Sequence, residues 1–151
     1  MQNEQGDLGE TIFKLAISRD YVFRPRDLGE KWPVSDFYVE LTTSVQKLYF
    51  IVQVKSSRRG YSNGRLRITA PKAKINALKN YNAPTYLAGV DVSNERVYLV
   101  PVNKSLRQNI STLDTSFELT PGNLRLLARD VRNYWRGSNM QQYKRNYNHL
   151  F

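Results

Sequence analysis

Cysteine is absent from the 151-residue chain, and with it go disulfides, thiolate zinc sites and thiol nucleophiles. Histidine is nearly absent: His149, close to the C-terminal end, is the only one. Histidine-based acid–base chemistry is therefore not expected. No stretch is apolar for long enough to span a bilayer. The opening run Met1-Gln2-Asn3-Glu4-Gln5 is polar and lacks the apolar region of a secretory leader. A cytoplasmic protein without membrane contact is the expectation.

Acidic residues are in deficit too. Thirteen Asp and Glu face twenty-three Lys and Arg, giving a net charge of +10 and a sequence pI near 9.9. A surplus of this size on a small chain favours a polyanionic partner. The hydrophobic fraction of 40% is enough for a real core, so disorder is not expected. The length suits one domain over 1–151, with a core of about 1–102 and a helical extension of about 103–151.

Periodicity supplies the elements. Leu8, Ile12, Leu15 and Ala16 recur at helical spacing and predict a helix from Asn3 to about Ser18 with that stripe inward. Tyr21-Val22-Phe23 reads as a short strand stopped by Pro25. Asp36–Thr42 and Leu48–Lys55 alternate as strands and are expected to form a hairpin. A Gly/Ser/Asn-rich stretch leads to a brief strand at Arg65–Thr69, and Pro71 opens a helix through Lys79. Thr85–Val92 is nearly all apolar, as a central strand is, and Glu95–Pro101 should lie antiparallel to it. Thr120-Pro121 caps a last helix to about Arg136. Helices and a mixed sheet in this order predict an α/β or α+β fold.

One constellation carries chemistry. Phe50, Val52 and Val54 share one face of their strand, and Gln53 and Lys55 share the other near its end. On the preceding strand Asp36, Tyr38 and Glu40 oppose Phe37, Val39 and Leu41. Pairing of the two strands brings a carboxylate, an amide and an ammonium together. Phosphodiester hydrolysis needs a divalent cation and a group that positions water and stabilises charge. Magnesium takes oxygen ligands and keeps several waters, so few carboxylates suffice. Asp36, the Gln53 side-chain carbonyl and the Val54 backbone carbonyl are candidate ligands, and Lys55 is placed to face water or phosphate. The plainer alternative is that Asp36 ends a strand and Gln53 and Lys55 are solvated strand residues. Glu40 reads as a solvated strand residue.

Basic residues cluster. Arg58, Arg59, Arg65 and Arg67 follow Lys55, and Lys72 and Lys79 lie two helical turns apart. Arg125, Arg129, Arg132 and Arg136 form one stripe of the last helix, opposite Leu124, Leu127, Val131 and Tyr134. These are candidate phosphate contacts, or else solvated surface. The tail Tyr143-Lys144-Arg145-Asn146-Tyr147 mixes basic and aromatic residues in the same sense.

Glu10 on the leading helix, Asp36 opening a strand, and Gln53-Val54-Lys55 ending the next strand together resemble the PD-(D/E)XK nucleases. The variant is the one with Gln for the middle acid, as in Mrr-like restriction enzymes and small Holliday-junction-resolvase-like nucleases. The proline of the motif stands at Pro33, three residues before Asp36. The resemblance covers about the first hundred residues. It implies a restriction-endonuclease-like αβββαβ core and Mg2+ (or Mn2+) held by Asp36 and Gln53. It also implies that Lys55 assists the attacking water and Glu10 supports a bound water. An ion pair with Lys14 is the alternative account of Glu10. DNA is the expected substrate, RNA remains open, and cutting both strands of a duplex calls for a homodimer. The competing expectations are a non-catalytic nucleic-acid-binding module, or a regulatory protein with an acidic partner.

Overall fold

The computed structural model describes residues 4–28, 36–103, 106, 109–136, 149 and 151. Helix α1 (Glu4–Ile17) carries Glu4 and Asp7 in its first turn and Lys14 in its last, which complements the helix dipole. Strands β1 (Phe23–Asp27), β2 (Phe37–Leu41) and β3 (Tyr49–Ser57) follow. Then come the short β4 (Tyr61–Ser62), β5 (Arg65–Ala70), helix α2 (Lys72–Lys79), β6 (Thr85–Asp91), β7 (Arg96–Pro101), β8 (Ile110–Leu113) and helix α3 (Pro121–Trp135).

The main sheet has the order β1-β2-β3-β6-β7, and β4-β5-β8 form a second, three-stranded sheet. β1, β2 and β3 pair antiparallel, β3 and β6 run parallel, and β7 returns antiparallel to β6. The fold is therefore α/β with a mixed sheet. Every residue of β6 is buried, as its continuous apolar run requires.

Alternation sorts the core to the two faces. Phe37, Val39, Phe50, Val52, Tyr86, Ala88, Val97 and Leu99 meet Ile12, Phe13, Ile17 of α1 and Leu124, Leu127, Val131 of α3. On the other face Leu87 and Tyr98 meet Leu66 and Ile68 of β5, Leu113 of β8, and Ile75 and Leu78 of α2. Gly89 is where the small sheet closes down: a Cβ there would lie 2.5 Å from Leu113 Cδ2 and 3.0 Å from Leu66 Cδ2. The Tyr61 hydroxyl donates to Asp91 Oδ2 at 2.6 Å and stands 2.9 Å from the Tyr98 hydroxyl, tying β4 to the ends of β6 and β7. The β4–β5 turn uses Asn63 and Gly64, both at positive φ, as a two-residue hairpin requires.

Several expectations change. Leu8 and Leu15 are exposed, at 41% and 68%, and the inward stripe is Gly9, Ile12, Phe13, Ala16 and Ile17. The reason is Gly9, whose bare Cα lets α1 lie against Ser56 and so turns the helix. Pro25 lies inside β1 and does not stop it, because β1 is an edge strand where a missing N–H is tolerated. β3 runs on through Ser57, and β8 was not expected from its short, mixed sequence. His149 reaches the interior, with Nδ1 2.7 Å from Oδ2 of fully buried Asp130, which also accepts from the Tyr86 hydroxyl. Thr120 caps α3 by accepting the Asn123 N–H at 3.3 Å. Pro33 and the Tyr143–Tyr147 tail lie outside the described residues.

Gly9→Ala in a helix ordinarily stabilises. Here the new Cβ would overlap Ser56 Oγ and stand 2.8 Å from Ser56 Cβ. A loss of about 1–3 kcal/mol in urea unfolding is expected, with partial recovery in the Gly9→Ala/Ser56→Gly double variant. Burial alone would raise the Asp91 carboxyl. The Tyr61 hydroxyl, the Asn94 side chain and amide, and the Ser93 amide outweigh it and hold the carboxyl low. Such a group stabilises above its unfolded pKa, and its contribution fades as pH falls through the folded value. Tyr61→Phe should then cost about 1.5–3 kcal/mol near neutral pH, with the cost shrinking below about pH 4.

Candidate functional site

The β2–β3 pair brings Asp36 to the Gln53–Lys55 run. Phe37 lies opposite Val52, so Asp36 falls level with Gln53 one step on. The Asp36 N–H donates to the Val52 carbonyl at 3.0 Å. Its side chain then replaces the next ladder carbonyl: Oδ2 accepts the Val54 N–H at 2.6 Å. The plainer reading of Asp36, an acid that ends a strand, thus holds as part of its role. Because the N–H and carbonyl of a strand residue point to one side, Val54 turns its carbonyl toward the Asp36 flank. The Val54 side chain packs in the α1–α3 core, so Gln53 and Lys55 project from the other face.

Gln53 is 5% exposed, and its Oε1 has no hydrogen-bond partner among the described residues. Buried carbonyl oxygens nearly always have one. Leaving one bare costs about 1–3 kcal/mol. An exposed strand glutamine would carry no such cost, so the solvated reading of Gln53 fails.

The charged groups around it act on each other. Burial pushes the Asp36 carboxyl up, while the Val54 amide, Lys55 and Lys74 pull against it. Burial also pushes the Lys55 ammonium down, helped by the charge and a hydrogen bond of Lys74 and opposed by Asp36. Glu10, half-buried on α1, is pushed up by burial and then by Asp36, Asp27 and Asp7. The Lys14 ammonium bonds Asp27 at 3.1 Å, so the ion pair offered as the alternative account of Glu10 is made elsewhere. Glu40 pairs with Arg26 at 3.5 Å, a surface ion pair.

Lys74 is the residue that sequence reasoning missed. It stands in the first turn of α2, over the carboxyl end of the parallel strand β3, where open α/β sheets place ligands. That position was the available signal. Lys72 is exposed at the start of α2, with its N–H on Asn109 Oδ1 at 2.9 Å. Lys79 donates to the Leu106 carbonyl at 2.7 Å, so one of its three N–H groups is already committed.

The remaining arginines fall into two places. Arg58 and Arg59 are exposed just past β3, and Arg67 is exposed on β5. Arg65 turns to β8, with Nε 3.0 Å from Thr112 Oγ1 and Nη1 4.0 Å from Asp114. The α3 stripe lies at the opposite end of the sheet from Asp36. Trp135 Nε1 donates to the carbonyl of Tyr49, the first residue of β3, at 2.8 Å. Arg132 donates to Thr43 in the β2–β3 connection at 2.8 Å. Lys55 lies about 20 Å further along that strand, so Arg125, Arg129 and Arg132 do not border the Asp36 site.

Among the described residues no three His, Cys, Asp or Glu side chains gather at one point. The donors here are of another kind: Asp36, the bare Gln53 oxygen and the Val54 carbonyl, with Glu10 as a second acid nearby. An all-oxygen set with few charges fits a hard cation that keeps its waters. It does not fit zinc or copper, which favour nitrogen and sulfur. A cation would also supply the partner that Gln53 Oε1 lacks.

Comparison with protein-family models, with curated proteins and with solved structures finds no match to this chain.

Gln53→Leu removes a polar atom that has no partner, so stability without metal should hold or rise. A cation held by Gln53 Oε1 would raise the Tm of the native chain, and the same variant should lose that rise. Thermal unfolding with and without Mn2+ reads both effects.

Proposed function

We propose that the chain is a metal-dependent nuclease hydrolysing DNA phosphodiester bonds, on a restriction-endonuclease-like core of the PD-(D/E)XK type. The observation that carries this reading is the bare, buried Gln53 oxygen beside Asp36 and Lys55 at the end of β3. The strand order supports it. An antiparallel β1-β2-β3 meander followed by α2 and a parallel β6 is the αβββαβ arrangement such a core has, with β7 and the small sheet as additions.

Asp36, Gln53 Oε1 and the Val54 carbonyl would hold Mg2+ or Mn2+. Bound there, the cation supplies polarisation of the phosphoryl oxygen and acidification of a water. Lys55, its ammonium depressed by burial and by Lys74, is suited to hold the attacking water and take part in its proton transfer. Lys74 sets a positive charge toward the developing phosphate charge. Glu10, raised toward its neutral form, orients water on the α1 side. Arg58, Arg59 and Arg67 grip phosphates flanking the scissile one. Cleavage of both strands calls for two such sites, hence a homodimer.

A second reading has one observation in its favour. Asp36 Oδ2 is already engaged by the Val54 amide, which weakens it as a ligand. On that reading the chain binds nucleic acid without cutting it, and EDTA changes nothing.

Asp36→Asn keeps an acceptor for the Val54 amide and Lys55→Met keeps the length of the side chain. Each is expected to lower Mg2+- or Mn2+-dependent cleavage of plasmid and branched DNA by about 10²-fold or more, with unfolding midpoints near the native value. An RNA substrate in the same assay decides between the two nucleic acids. Cleavage that survives both substitutions, or no product under either metal, sinks the assignment.

A further inference from the structure

The outer side of α3 forms a groove of about 580 Å3 that plays no part in the Asp36 site. Arg125, Arg129, Arg132 and Arg136 line it, with Val22 and Thr43 opposite. Arg125, Arg129 and Arg136 are exposed, and Arg132 is oriented by its bond to Thr43 Oγ1 at 2.8 Å. None of the four forms an ion pair with a carboxylate among the described residues. Elsewhere surface cations do find acids, as in Lys14–Asp27, Arg26–Glu40 and Arg65–Asp114.

We infer that this groove is a separate docking site for a nucleic-acid backbone. The inference rests on nucleic acid being the partner proposed above, but not on its being cut. The geometry selects a repeating anion over a single one. Four guanidinium groups at helical spacing make a rail about 16 Å long, which suits successive phosphates spaced along one strand. A lone phosphate would need the groups to converge on a point. Guanidinium forks suit phosphate oxygens in two-pronged contacts. Tyr21, next in sequence to the groove residue Val22, is 85% exposed and offers an aromatic surface of the kind on which single strands stack. An anionic membrane is disfavoured, because Val22 and Ala128 are the apolar residues among those lining the groove and neither is a large side chain of the kind that inserts among acyl chains.

The test is binding of a labelled DNA oligonucleotide to the full chain in EDTA, by fluorescence anisotropy across a salt titration. Arg125→Gln/Arg129→Gln keeps good helix formers on an exposed face, and a thermal unfolding curve controls for folding. The double variant should weaken binding and reduce the slope of log K against log salt by about 0.7 for each phosphate of a single-stranded oligonucleotide no longer neutralised, or about 0.9 on a duplex. Arg125→Lys/Arg129→Lys should retain most of the slope. An unchanged slope in the Gln variant overturns the inference. So does binding of poly-glutamate with no binding of DNA, which would assign the groove to an acidic protein. Because EDTA removes cleavage from the readout, the two readings fail separately. Normal binding in the Gln variant overturns the groove alone, whereas a reduced slope with no cleavage under any metal overturns the nuclease alone.

Discussion

A single hydrogen bond organises the end of the sheet: the Asp36 carboxylate on the Val54 amide at 2.6 Å. In an ordinary hairpin the next carbonyl of β2 would take that N–H. Here a side chain takes it, and the strand's last ladder bond becomes a clamp on a carboxylate. The clamp also fixes what lies on either side. Val54 is buried in the α1–α3 core, so its neighbours Gln53 and Lys55 must point the other way. A slip of one residue would drive an amide and an ammonium into Phe13 and Phe37, so the core itself enforces the register. The acid, the amide and the amine are therefore placed by hydrophobic packing on the far side of the sheet.

That placement costs stability locally. The Asp36 carboxyl is raised by burial and the Lys55 ammonium is lowered by it, so neither charge is well solvated. A second ammonium, Lys74, is held against Lys55, and Gln53 Oε1 goes without a partner. A chain selected for stability alone would have an apolar residue at 53 and one lysine fewer here. Apolar clusters on both faces of the sheet offset the cost. Destabilised polar groups concentrated at one place on a well-packed sheet are the usual signature of a site.

Much of this is readable from residue order. The alternation of Phe37, Val39, Leu41 and of Phe50, Val52, Val54 determines both strands, their hairpin and the face on which Gln53 and Lys55 stand. The apolar run at 85–92 marks the central strand, and the two stripes of α3 mark its buried and basic sides. What stays hidden depends on packing between elements distant in sequence. Leu8 and Leu15 look like core until Gly9 is seen against Ser56, because periodicity leaves the rotation of a helix open by one residue. The burial of Gln53 comes from the packing over β3, which no local pattern in 50–55 encodes. Arg65 and Lys79 look available to phosphate until Asp114 and Leu106 are brought to them by the chain after β7. Lys74 enters the site only because the packing of α2 on the sheet brings it within reach of Asp36 and Lys55.

The charges of the molecule are segregated along the sheet, and this bears on what a cation does for it. Glu10 is pushed up by burial and then by Asp36, Asp27 and Asp7, so acids crowd the α1 side of the Asp36 end. The four arginines of α3 stand at the opposite end and form no ion pair with a carboxylate among the described residues. On the proposed reading, a phosphate backbone approaching a bare chain would be drawn to the arginine end and to the Arg58–Arg59 segment, and repelled from the α1 flank. A divalent cation on Asp36 and Gln53 would offset much of the negative charge of that flank. In the proposed nuclease, affinity for nucleic acid and access of a phosphate to Lys55 would thus be separate properties. The first would belong to the arginines, and the second would depend on how well one clamped carboxylate and the carbonyl oxygens beside it hold a metal.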